Sequence, residues 1–285
     1  MPTTFWTHTI WFILLGITTI IQVVYIMVKA ENRRLMFTFY LTVSGMVYLM
    51  EVFLFGILRA YDYYPMIFHQ ISALDDSLAG NIFSQFSLAA SALLISFLNL
   101  KYYWYIIIAL AYGGIEELFL FLGIYKHHWY QTWMTVVGLV LLFIIIKIMY
   151  NNVFGARAQE RPGRIFKYIL IYFAVVVPFI FLSWPFRLFE ILTFSLNKLP
   201  NPIISGMLLF AINYSVLTNI IMPLFFLKAK WWWNGIIILF LYIAYYIAGM
   251  FNYIESKNIG ILMLFATLQI FGTYLFVYIF DRLYD

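Results

Sequence analysis

Two adjacent carboxylates, Glu116 and Glu117, sit inside an otherwise apolar run, and Lys126, His127 and His128 follow two to three helical turns later. A third acid, Glu51, lies in a similar apolar run. A charged side chain at the centre of a bilayer costs roughly 2.5–3.5 kcal/mol or more, so such residues mark sites where something pairs or solvates them. Desolvation favours the neutral carboxyl and a positive partner favours the ionised one, a combination suited to binding a cation, a proton or an amine-bearing solute.

Helical spacing predicts which side chains accompany these acids. Residues three and four apart share a face. Ser44, Tyr48, Glu51 and Phe55 therefore form one stripe, and Ala109, Tyr112, Gly113, Glu116, Leu120 and Gly123 another. Each acid has a tyrosine one turn away, Tyr48 or Tyr112, as a possible hydrogen-bond donor. Glu117 is turned about 100° from Glu116 by the helical pitch, so one of the two faces the site and the other a structural partner. Ser77, Asn81, Ser84, Gln85 and Ser91 make a polar seam on a third helix, read either as interhelical glue or as one wall of a pocket. The candidate binding residues are Glu51, Glu116, Glu117, Tyr48, Tyr112, Arg59, Asn81 and Gln85.

His69, Asp75, Asp76, His127 and His128 fall in the connections above these helices. His127, His128, Asp75 and Asp76 are the candidate metal ligands. Each has a simpler reading: the His pair beside Trp129 and Trp133 as an interfacial anchor, the Asp pair as a negative charge at a helix N-terminus. Arg59 and Asp62, three apart, also suit an ordinary surface ion pair.

A double Glu inside a membrane span resembles the CPBP-type intramembrane proteases. Their pattern continues with an Arg one turn on and His in later spans, whereas Leu120 and Phe121 stand one turn on here and no His follows His128. The resemblance covers two residues and carries no catalytic role across. HExxH and GxxxxGK[ST] do not occur, so neither a zincin helix nor a phosphate-binding loop is present. No cofactor is indicated; a retinal Schiff base needs a Lys within a span, and haem needs a His at depth.

The elements that must position these residues are membrane helices. The 285 residues are 65% hydrophobic and 10% charged, with a mean hydropathy of +0.92, which leaves too little polar surface to cover a water-soluble globule. Apolar runs of about twenty residues select helices over barrel strands. The fold class is all-α: a polytopic helical bundle of about nine spans, near 9–28, 35–58, 80–100, 103–125, 134–153, 166–186, 204–227, 232–253 and 259–280. Interfacial helices are expected at 60–79 and 188–203, and aromatic clusters such as Tyr61, Tyr63 and Tyr64 or Trp231–Trp233 read as belts at the membrane border.

Alternating the loops puts twelve of the 17 Lys and Arg on one side and five on the other. The positive-inside rule then sets the N-terminus outside and the C-terminus in the cytoplasm, with the cell membrane as the expected location. Met1–Val28 carries no Lys or Arg, so it reads as a retained span and not a cleaved signal. The scattered basic residues form no patch for nucleic acid, and the absence of Cys excludes disulfides and thiolate chemistry.

An internal repeat appears at an offset of about 129 residues. Glu31–Phe39 aligns with Glu160–Tyr168, the segment ending Arg59–Asp62 with that ending Arg187–Glu190, and Lys101–Trp104 with Lys230–Trp233. The expected division is a parallel duplication of a four-helix unit, at 1–130 and 131–257, followed by a ninth span at 258–285. At this offset Glu116 and Glu117 become Tyr245 and Tyr246, so only the first unit is acidic. The functional expectation is a transporter or ligand-binding protein using an outward-facing Glu cluster, with the bilayer, a small solute or cation, and a membrane-protein partner or second copy as its partners. An intramembrane metal-dependent enzyme and a non-catalytic scaffold or sensor remain the alternatives.

Overall fold

The computed structural model describes residues 5–68, 73–155, 163–194 and 202–284. His69, Arg157, Arg161 and Lys198 lie outside them. Among the described residues nine helices are long and apolar enough to cross a membrane, as expected of a multi-pass integral membrane protein. The chain divides into two compact units, Met1–Arg164 and Ile165–Asp285.

The first unit holds helices α1 (Ile10–Lys29), α2 (Arg33–Glu51), α3 (Ala73–Phe97), α4 (Tyr102–Phe121) and α5 (Thr132–Phe154). A π-helical turn precedes α1 at Phe5–Thr9, and another extends α2 over Val52–Ile57. Two short strands, β1 (Tyr61–Tyr63) and β2 (Tyr125–His127), pair antiparallel with Tyr61 opposite His127 and Tyr63 opposite Tyr125. The central helix is α3, which packs against α1, α2 and α5. Its buried Ala89, Ala90 and Ala92 let neighbouring backbones come close, and that close van der Waals packing holds helices together where hydrocarbon surrounds them. Lys147, on α5, donates at 3.0 Å to the carbonyl of Ser96 near the C-terminus of α3, which also accepts the Asn99 N–H at 3.2 Å.

The second unit holds α6 (Arg164–Leu188), whose first residue closes the preceding unit, then α7 (Pro202–Phe226), α8 (Trp231–Met250) and α9 (Ile259–Leu283). Strands β3 (Leu192–Phe194) and β4 (Ile254–Ser256) pair antiparallel, with Leu192 opposite Ser256. Tyr214 donates to the Tyr172 carbonyl and joins α7 to α6, while Lys167 and Asp281 form an ion pair of 2.7 Å between α6 and α9.

Helix ends follow recognisable rules. Asn32 and Asn258 cap α2 and α9 by accepting the N–H of Leu35 and Ile261. At the C-terminus of α4, Gly123 takes a left-handed φ of 70°, and Ile124 N–H reaches back to the Phe119 carbonyl at 3.0 Å. This Schellman closure recurs after α3, α6, α7 and α8 with Asn99, Glu190, Lys228 and Asn252 in the left-handed position. After α2 the left-handed residue is Arg59, and Ala60 N–H reaches Leu54, one residue further back than elsewhere, because the π turn adds a residue to the loop of chain being closed.

The expected interfacial helices at 60–79 and 188–203 are corrected for the described residues: β1 and β3 occupy the start of these segments, and α3 begins at Ala73, earlier than the expected residue 80. Tyr61-Asp62-Tyr63 alternates with the two-residue period of a strand, but its partner lies more than sixty residues away, beyond any local pattern. The early start of α3 places Asp75 and Asp76 in its first turn, where negative charge is favoured.

Candidate functional site

Glu51 is the last α-helical residue of α2 before the π turn, and it is 5% exposed. Its carboxylate is surrounded by donors. Tyr61 donates to Oε2 at 2.6 Å, Asn81 Nδ2 to Oε1 at 2.6 Å and Tyr63 to Oε1 at 3.5 Å. The Gln85 amide hydrogen-bonds to it as well. The two amides stand four apart on α3 and use their N–H groups on Glu51, which leaves Asn81 Oδ1 and Gln85 Oε1 buried without a partner among the described residues. A buried unpaired acceptor costs about 1–3 kcal/mol, so both oxygens call for a donor or a positive charge.

Glu116 approaches from α4. Its Oε1 lies 2.6 Å from His127 Nε2, and its Oε2 accepts from Thr135 of α5 at 2.5 Å. Glu51 and Glu116 line one cavity of about 150 Å³, with Gln85, Ser84, Tyr112 and Thr135 adding polar atoms and Leu15, Val47, Leu54, Ile115, Phe119, Leu139 and Leu142 supplying apolar wall. No Lys or Arg lines it among the described residues.

The ribbon β1–β2 closes the end of this cavity where α2 and α4 terminate. The pleat sends Tyr61, Tyr63 and Tyr125 to the cavity side, while Asp62 and Lys126 alternate to the other. Tyr130 joins them, with its ring centroid 5.1 Å from that of Tyr61. Burial first, then the negative charge of Glu51, holds the Tyr61 and Tyr63 hydroxyls well above the ordinary tyrosine range. Burial and the neighbouring Tyr63 and Glu116 do the same for Tyr125. They are hydrogen-bond donors at any physiological pH.

The other sequence candidates have separate places. Glu117 points away from the cavity, exposed, and accepts from Thr132 at 2.5 Å at the start of α5. The tyrosines expected one turn from each acid act differently: Tyr112 exchanges hydrogen bonds of 2.8 Å with Ser87 and Ser91 on α3, and Tyr48 is buried but does not line the cavity. Asp62 pairs with His128 at 2.8 Å, and Arg59 takes the left-handed turn before the ribbon. Asp76 accepts the N–H groups of Met66, Ile67 and Phe68 at 3.0, 2.6 and 2.7 Å, so it ties these three residues to the first turn of α3. Asp75 is buried beside it in the first turn of α3. Among the described residues no three His, Asp or Glu converge as a metal would require.

Sequence reasoning missed Tyr61, Tyr63, Tyr125, Tyr130 and Thr135 as parts of the site. The two-residue spacing in Tyr61-Asp62-Tyr63 and Tyr125-Lys126-His127 was the available signal; a belt tyrosine and a strand tyrosine differ in that alternation. Comparison of the chain with protein-family models, with curated proteins and with solved structures finds no match.

Proposed function

We propose that the first unit binds a small positively charged solute, a cation, a proton or an amine, in the cavity shared by Glu51 and Glu116, as a transporter or a ligand-binding membrane protein would. The observation that carries this reading is the wall itself: two carboxylates and an unpartnered amide oxygen face one hollow that no Lys or Arg lines among the described residues. In a low-dielectric site a positive guest gains more from two carboxylates than it does in water. We assign the ribbon side of the cavity to the outer face of the cell membrane, with the N-terminus outside and the C-terminus in the cytoplasm.

We further propose that the two units descend from one duplicated four-helix unit. The order helix, strand, helix, helix, strand, helix runs from α2 to α5 and again from α6 to α9. The offset is 131 residues from Arg33 to Arg164 and from Tyr61 to Leu192, and 129 from Tyr102 to Trp231 and from Tyr125 to Ile254. Left-handed residues recur in the same register, Arg59 with Glu190, Asn99 with Lys228 and Gly123 with Asn252. Left-handed non-glycine residues are uncommon, so their recurrence in one register supports this reading. In this register α9 answers to α5, and α1 becomes the helix outside the repeat. The second unit's equivalent cavity, of about 230 Å³, has Tyr245 hydrogen-bonded to Asn213 where the first has Glu116.

Calorimetric titration of the purified protein with a panel of inorganic cations and small amines tests the binding reading. Glu116→Gln is expected to weaken binding at least about tenfold, the loss of one buried charge partner. Glu117→Gln is expected to leave it unchanged. A panel in which nothing positively charged binds the native protein overturns the reading.

A further inference from the structure

The reading of a positively charged guest rests on the carboxylates; the class of guest rests on the rings above them. Tyr61, Tyr63, Tyr125 and Tyr130 all line the cavity that holds Glu51 and Glu116. Their centroids stand 5.7 Å apart for Tyr61–Tyr63, 5.1 Å for Tyr61–Tyr125, 4.9 Å for Tyr63–Tyr125 and 5.1 Å for Tyr61–Tyr130. These four pairs meet tilted or edge-on, at interplanar angles from 43° to 77°, so no ring in them covers another's face in parallel.

We infer that the cavity takes a small alkylated ammonium ion, its charged nitrogen held between the tyrosine rings and the carboxylates. Ring faces carry the negative part of the aromatic quadrupole, and a desolvated cation over them is attracted strongly. A bare metal ion must instead replace its water with a shell of some six oxygens. This wall offers few free ones, because Glu51 and Glu116 already accept from Tyr61, Asn81, His127 and Thr135. An alkylated ammonium spreads its charge over methyl groups, which suit the Leu, Ile and Phe side chains on the rest of the wall. Size agrees: a cavity of roughly 150 Å³ holds a molecule like benzene, which is larger than any hydrated-stripped metal ion and smaller than a drug-sized ligand. Gln85 Oε1, buried and unpartnered, is an acceptor for any N–H that alkylation leaves.

Titration of the purified full-length protein with potassium, ammonium, trimethylammonium and neutral tert-butanol tests this. Trimethylammonium is expected to bind at least about tenfold more tightly than potassium or ammonium, with tert-butanol not binding. Tyr125→Leu should lose about tenfold in that affinity and Tyr125→Phe, which retains the ring, should restore it. Potassium or ammonium binding as tightly as trimethylammonium, or Tyr125→Leu matching the native affinity, overturns the alkylammonium assignment and leaves the cation reading standing. If no positive ion binds, or tert-butanol binds equally, both fall.

Discussion

Glu116 and Glu117 share a residue type and a helix, yet one lines a cavity and the other meets solvent or lipid beside Thr132. The difference is the helical pitch: adjacent residues point about 100° apart. The same local accounting gives predictions for the ring of donors around Glu51. Tyr61→Phe removes a 2.6 Å hydrogen bond to a buried carboxylate and should lower stability by about 1.5–3 kcal/mol, read as a lower midpoint in detergent unfolding. A pH dependence follows from the tyrosines themselves. Their folded hydroxyls hold protons well above the ordinary range, whereas the unfolded chain releases them near pH 10. Above that pH the folded state binds more protons than the unfolded one, so stability is full below about pH 10 and falls as pH rises further. Unfolding midpoints measured across that range check it; a Tyr125→Phe variant should show a shallower alkaline decline.

Elements carry the next set of consequences. Gly123 adopts a φ of 70° with open space around its missing Cβ, so Gly123→Ala meets no clash and pays only for backbone strain, about 1 kcal/mol. Gly113 is the opposite case. A Cβ there would stand 2.9 Å from Val136 Cγ2, so Gly113→Ala must push α4 from α5 and should shift the unfolding midpoint despite alanine's better helix propensity. The ribbon β1–β2 shows why element types were only partly legible. Helix spans announce themselves over twenty apolar residues, but a three-residue strand exists only because Tyr125–His127 lies alongside it. The polar seam of α3 was visible from its spacing. Its division of labour was not: Ser77 accepts the Tyr63 N–H, Asn81 and Gln85 serve Glu51, and Ser87 and Ser91 hold Tyr112.

At the scale of the whole molecule, the absence of native Cys makes topology directly measurable by single-cysteine labelling. Glu31→Cys is expected to react only when the inner face is open to a membrane-impermeant reagent, and Lys126→Cys from outside in intact cells. Labelling of both from the same side would overturn the assigned orientation. The sequence by itself determined a membrane protein of about nine apolar helices and picked out Glu51 and Glu116, because hydropathy and the cost of an intramembrane acid are properties of single residues and their near neighbours. Which tyrosines meet those acids, which of two adjacent glutamates faces inward and where the aspartates and histidines are spent were decided only by tertiary structure. Those choices depend on contacts such as Tyr61 with Glu51, His127 with Glu116 and His128 with Asp62, set by strand register and helix packing between segments that no local periodicity connects.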